Sequence, residues 1–194
     1  LVFVCNPNAP SGSVVPVDVL ARFAASVPDA VVVVDEAYVD FADADALGLV
    51  GQVPNVVVLR SFSKSFAMAG LRLGLCFGHP ELLRGLGTVK DSYNLNRLTQ
   101  AAGEAALDDV AWMRGNVARI RATRDVLSQG LARLGYDVLP SATNFVAIDC
   151  GRDGAFARKV LNALIARDVF VRMPGVAPLD RCIRVSAGTR PDLD

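Results

Sequence analysis

The chain has 194 residues, 20 acidic and 20 basic side chains, and 52% hydrophobic residues, enough for one large domain or a domain and a half around a substantial core. The even charge balance excludes the basic face that nucleic acid requires, and apolar runs such as Val31–Val34 and Val56–Leu59 are far too short to cross a bilayer. A single histidine, His79, and four scattered cysteines (Cys5, Cys76, Cys150, Cys182) without C-x-x-C spacing argue against triad, multi-histidine and zinc chemistry and for reduced thiols in a cytoplasmic protein.

Leu1–Cys5 reads as a strand that opens with no initiator methionine or signal pattern, and a Pro/Asn/Gly loop follows. Val17–Ser26 has helical spacing, with Pro16 and Asp18 as start signals. Ala30–Val34 is apolar at consecutive positions, so both faces should be covered, as in a parallel sheet; Val56–Leu59 and Leu73–Phe77 repeat that character. Strand, crossover, strand with continuous runs predicts an α/β sheet with helices on both faces. Chemistry then belongs in the loops past the strands' carboxyl ends, where Asn6–Gly12, Asp35–Tyr38 and Ser61–Lys64 all lie. His79 beside Pro80 reads as a surface residue at a helix start.

From Asn96 to Leu134 the chain reads as helical, with a break near Asp108–Asp109; arginines at 114, 119, 121 and 124 alternate with Val117, Ile120 and Val126–Leu127. After Gly135 the character changes. Tyr136–Leu139 and Asn144–Ile148 are strand-like, Ala155–Arg167 is an amphipathic helix, and Val169–Arg172 and Cys182–Ser186 are strands. This predicts a smaller α+β unit and a boundary near Met113, giving domains 1–113 and 114–194. The closing string RPDLD reads as the start of a helix, so both ends read as cut.

Several residues could carry chemistry, each with a plain alternative. Lys64 in SFSK, with Arg72 downstream, is an amine between a buried strand and a helix, flanked by hydroxyls and a cation suited to a phosphate; alone it also reads as a solvated loop lysine. Asp35 in DEAY ends a buried strand, where a carboxylate is costly unless paired; a protonated ring nitrogen or a helix cap would serve. The asparagines of CNPNAPSG reach a ligand or close Asx-turns. Arg184 in CIRVSAGT points away from Ile183 and Val185, toward solvent or a cleft, and suits a carboxylate.

Taken together and in order, CNPNAPSG, DEAY, SFSKSFAMAGLRLG, YNLN, TNFVAI and CIRVSAGT resemble the fold-type I pyridoxal-phosphate enzymes, most closely the histidinol-phosphate aminotransferase family. The resemblance runs over nearly the whole chain, and Ser61–Gly74 is its most specific stretch. It implies an α/β pyridoxal-phosphate-dependent transferase fold: part of a large domain with a mostly parallel sheet, then a smaller carboxyl-terminal α+β domain. By position it implies that Lys64 carries pyridoxal 5'-phosphate covalently, that Asp35 pairs with the pyridine nitrogen, and that Tyr38 bonds the ring's phenolic oxygen. Ser61, Ser63 and Arg72 would hold the cofactor phosphate, Arg184 the substrate α-carboxylate and Arg172 the substrate phosphate; Asn94 and Asn144 resemble cleft-lining residues. The family's first loop usually has asparagine where Ala9 stands, and Asn6 or Asn8 is the candidate substitute.

The activity implied is transamination between histidinol phosphate and 2-oxoglutarate by a cytoplasmic homodimer, with a small amino donor and a keto acceptor as partners and neither nucleic acid nor membrane. Threonine-phosphate decarboxylation or another class I/II transamination shares this scaffold, and a cofactor-free fragment that only dimerises is the reading from outside enzymology.

Overall fold

A computed structural model describes residues 1–192. The chain divides into two compact units, one of Leu1–Pro7 with Val14–Asn116, the other of Asn8–Ser13 with the chain from Val117 onward. No helix among the described residues is long and apolar enough to cross a membrane.

The first unit is built on four strands, β1 (Val2–Cys5), β2 (Val32–Asp35), β3 (Val56–Ser61) and β4 (Gly74–Gly78), hydrogen-bonded in that order. The first three are parallel, with Cys5 level with Asp35 and Asp35 level with Leu59. Val32, Val34, Val56 and Val58 pack on Leu20 and Ala24 of helix α1 (Val17–Ser26). Val33 and Val57, on the opposite face, are buried too. This is why the runs of β2 and β3 are continuously apolar: both faces of these two central strands are covered, while Phe3 of β1, level with Val33, is exposed. Each fully buried valine contributes about 1.5–3 kcal/mol. Asn55, just before β3, directs its side-chain amide at the carbonyls of Ala24, Val27 and Ala30, 2.8 to 3.1 Å away. The amide thereby ties the end of α1 and the turn after it to the start of β3.

Leu73–Phe77 departs from expectation. It forms β4, but antiparallel to β3, with Ser61 level with Gly74, and it is half exposed. The segment between the strands, residues 62–73, holds only a single 3₁₀ turn, Ala69–Leu71, and no helix. A parallel return usually runs through a crossover helix, and without one the chain comes back antiparallel.

Helix α2 (Pro80–Val89) starts at His79, whose ring accepts from the Glu81 N–H. Asn96 caps α3 (Arg97–Asp108) by accepting from the Thr99 N–H at 2.9 Å. Asp109 then separates α3 from α4 (Val110–Arg133), as the break in periodicity predicts. The end of α4 is closed by the Tyr136 N–H on the Leu131 carbonyl and the Gly135 N–H on the Ala132 carbonyl. Gly135 supplies the positive φ of 87° that this Schellman closure demands.

In the second unit β5 (Asp137–Val138), β6 (Phe145–Asp149) and β7 (Cys182–Ser186) form an antiparallel sheet in sequence order. Helix α5 (Gly154–Ile165) is capped by Asp153, which accepts from the Phe156 N–H. Phe145, Val146 and Ala147 are buried, as are Ala157, Leu161 and Ile183. In the loop Asn8–Ser13, Gly12 approaches Ser141 so closely that a Cβ would lie 2.6 Å from the Ser141 hydroxyl.

The strand expected over Val169–Arg172 shrinks to one bridge, Arg172 to Arg184. Asp168, with φ of 60°, is still closing the end of α5, and Pro174 with Gly175 at φ 74° follows at once. These breaks confine the extended stretch to residues 169–173, and only Arg172 within it pairs with β7. At the carboxyl end a single 3₁₀ turn spans Arg190–Asp192; the remainder of the expected helix start lies outside the described residues.

Candidate active site

In the first unit the candidate residues occupy loops at the carboxyl ends of β2 and β3. Asp35 is the last residue of β2, and its carboxylate accepts from the Ala37 N–H at 3.0 Å. This Asx-turn lifts the chain off the sheet and carries it to Tyr38. Ser61 ends β3, and its hydroxyl accepts from the Ser63 N–H at 3.0 Å. Phe62 is fully buried, with its ring 4.8 Å from that of Phe66. Its backbone carbonyl accepts from the Met68 N–H. The residues between, Lys64 among them, are thereby held out as a short loop.

Lys64 and Tyr38 meet: the Nζ stands 5.3 Å from the centroid of the tyrosine ring. An ammonium over a phenol face gains cation–π attraction, and the contact fixes where the amine is presented. Arg72 closes the stretch in a left-handed backbone conformation, φ 55° and ψ 39°, and donates to the Ala69 carbonyl at 2.9 Å. For a non-glycine residue that conformation costs about 1–2 kcal/mol; Ala67, with φ of 56°, adopts it too. Such strain gathers where a site over-determines its backbone. Arg72, Gly70, Asn94 and Thr99 line a groove of about 410 Å³.

Five side chains near this loop stand outside the set singled out from the sequence: Glu36, Arg60, Asp45, Ser65 and Asp40. Glu36, rather than Asp35, is the buried carboxylate, at 1% exposure. It accepts from the Ala46 N–H and, at 3.0 Å, from Nε of Arg60, whose Nη2 lies 3.2 Å from Asp45. Burial pushes the Glu36 carboxyl above its ordinary range, while the Ala46 N–H and the Arg60 guanidinium pull the other way. Nothing in the string DEAY separates the two carboxylates: Val32, Val33 and Val34 are all buried, so alternation along β2 does not say which of the two turns inward. Ser65 is buried and its hydroxyl donates to the Asp40 carboxylate.

In the second unit Arg172 and Arg184 lie directly opposite one another, exchanging backbone hydrogen bonds: Arg172 N–H to the Arg184 carbonyl at 3.0 Å, and the reverse at 2.6 Å. Opposed residues share a face of the sheet, so the two guanidinium groups emerge on one side. That of Arg184 stacks 4.8 Å above the ring of Phe145. Two guanidinium groups on one face have the chemistry to pair with charged oxygens. Asn144 contributes its backbone carbonyl to the Ala187 N–H.

In the first loop, beside Ala9, the Asn6 amide is engaged at both ends by the backbone of Val15, and the Asn8 side-chain carbonyl accepts from Ser11. Both asparagines therefore close the loop on itself.

The model of the aminotransferase class I and II family matches residues 1–194. A histidinol-phosphate aminotransferase of Syntrophotalea carbinolica is 45% identical over 195 residues, spanning 100% of this chain and 55% of that protein. Among solved structures, the histidinol-phosphate aminotransferase of Sinorhizobium meliloti in complex with pyridoxal-5'-phosphate superimposes with a TM-score of 0.92 at 36% identity, over 99% of this chain and 54% of that one. The L-threonine-O-3-phosphate decarboxylase of Porphyromonas gingivalis superimposes with a TM-score of 0.83 at 22% identity, over 98% of this chain and 60% of that one, and shares the fold. The chain spans about half the length of the curated relatives it matches.

Proposed function

The chain belongs to the class I and II aminotransferases, and on that premise we propose that the protein transfers an amino group between histidinol phosphate and 2-oxoglutarate with pyridoxal phosphate as cofactor. The observation that carries the reading is the presentation of the Lys64 amine over the Tyr38 ring, in the loop past a strand whose neighbour ends in Asp35. The donor set fits the cofactor: an amine for its aldehyde, a phenol for its ring hydroxyl, a carboxylate for its pyridine nitrogen. The hydroxyls of Ser61 and Ser63 and the guanidinium of Arg72 would hold its phosphate. When bound, pyridoxal phosphate supplies the electron sink that makes a substrate Cα proton removable.

The chain's own part is positioning and proton handling. With the cofactor bound, the Lys64 amine would be the base that takes up the substrate Cα proton and holds it for return. Asp35, as a carboxylate, keeps its partner nitrogen protonated. Arg184 grips the α-carboxylate with two parallel hydrogen bonds, and Arg172 beside it takes the phosphate of the phosphorylated substrate. Residues 1–113 would form the carboxyl-terminal part of the large cofactor domain and 114–194 the small domain, within a cytoplasmic homodimer.

The full-length protein, given histidinol phosphate and 2-oxoglutarate, is expected to form glutamate in step with consumption of the donor. Release of CO2 from a phosphorylated amino acid, without glutamate formation, would overturn the proposal.

A further inference from the structure

We propose that Ser65 and Asp40 form a positioning pair that fixes the Lys64 amine against Tyr38, an inference that rests on the reading of Lys64 given above. Ser65 is only 1% exposed, and its hydroxyl donates to the Asp40 carboxylate. Each partner adjoins a reactive residue. Ser65 directly follows Lys64, and Asp40 lies two residues beyond Tyr38 in the single turn Val39–Phe41. That turn is firmly seated, with Val39 and Phe41 buried and the Phe41 N–H bonded to the Tyr38 carbonyl. The pair therefore joins two loops that leave the neighbouring strands β2 and β3, 25 residues apart in sequence.

Packing alone would not select a serine at this place. A buried hydroxyl costs free energy unless it is bonded, and alanine would fill nearly the same volume without that cost. A hydroxyl donating to a carboxylate makes a strong, directional bond. It sets the orientation of the backbone from which the long Lys64 stem departs. Asp40 also borders a groove of about 190 Å³ shared with Asp43, Asp45 and Arg60. Its carboxylate thus has access to water, and losing Ser65 does not strand a charge in the core. The bond lies on the Lys64 side of the loop, while Phe62 and Met68 hold its base; its loss should loosen the amine more than the fold.

The test uses cofactor-free full-length protein mixed with pyridoxal phosphate. One measures the rate at which absorbance from the new bond between Lys64 Nζ and the aldehyde carbon appears, the aldehyde oxygen leaving as water, and separately the Tm of the cofactor-free protein. Ser65→Ala and Asp40→Ala are each expected to slow capture by about tenfold while lowering Tm by no more than about 4 °C. Asp40→Asn keeps an acceptor oxygen and should restore capture to within about twofold. The Ser65→Ala/Asp40→Ala double variant should be no slower than either single one, because the two act through one bond.

Unchanged capture in both single variants, additive losses in the double variant, or Asp40→Asn as slow as Asp40→Ala would each overturn the pair. Should Ser65→Ala fail to fold, the comparison of Asp40→Ala with Asp40→Asn decides alone. Wild-type protein that captures no cofactor would overturn the reading of Lys64 itself, a result distinct from normal wild-type capture with unaffected variants.

Discussion

The two units of this chain present their functional groups in opposite ways. In the first, the candidate residues stand at or just past the ends of parallel strands, with side chains tied to backbone: Asp35 to Ala37, Ser61 to Ser63, Arg72 to Ala69. In the second, two arginines project from the body of an antiparallel sheet, set side by side by register and, for Arg184, by the ring beneath it. A loop can be shaped around one atom, which suits an amine that must move a proton. A sheet face offers rigid spacing, which suits the recognition of charged oxygens at fixed separations. That contrast supports the proposal of chemistry on the first unit and substrate charge on the second.

The sharpest way to break the contrast is at Lys64. Lys64→Ala in the full-length protein is expected to lower turnover by about 10⁴-fold or more and to abolish the cofactor's visible absorbance, read by steady-state assay and spectrum. Arg184→Lys should act differently. It keeps the charge but loses the planar fork that stacks on Phe145, so kcat/KM for carboxylate substrates should fall by about 10²-fold with the cofactor spectrum intact. If Arg184→Lys abolished the spectrum as well, the separation of roles between the units would fail.

A third change concerns fold only. Asn55→Ala removes the amide that reaches three carbonyls near the end of α1. Denaturant unfolding should show a loss of about 1–3 kcal/mol, with activity of the folded enzyme preserved.

The smallest expected effect is electrostatic, and its sign differs between the units. Glu36 in the first unit has its carboxyl raised, chiefly by burial. Its contribution to stability is complete below the ordinary glutamate range and is lost as pH rises through the higher folded value. Asp149 in the second unit is the reverse: burial would raise it, but the hydrogen bonds from Arg181 and the Gly151 N–H, with the nearby Arg181 charge, outweigh that and hold it low. Its contribution is present above the ordinary aspartate range and is lost as pH falls through the lower folded value. Melting curves across pH 3 to 7 should therefore show Asp149→Asn flattening the acid limb and Glu36→Gln flattening the slope above the ordinary glutamate range. The opposite pattern would contradict the assignment of partners.

Much of the first unit was legible from the chain itself. The valine runs announced strands with two covered faces, and the strings DEAY and SFSK fell just past them, where a parallel sheet leaves room for chemistry. The break at Asp109, the cap at His79 and the closure at Gly135 are local events, decided by a few neighbouring residues. Less legible was anything depending on where the chain goes next. Leu73–Phe77 matches β2 and β3 in composition. Its direction was settled by a connection with no crossover helix. Val169–Arg172 has strand composition as well, but the turn closing α5 and Pro174 left it one bridge long.

What the sequence by itself determined is therefore the set of parts: buried strands, capped helices, and a lysine, a tyrosine, an aspartate and paired arginines in one family's order. Only the tertiary structure decided which carboxylate goes inside, Glu36 and not Asp35, and that Lys64 rests over Tyr38, that Arg172 faces the same way as Arg184, and that Ser65 bonds to Asp40. The physical reason is distance along the chain. Periodicity and capping act over a few residues, while these contacts join residues 12 to 26 positions apart, and their closure is determined by strand register and turn geometry.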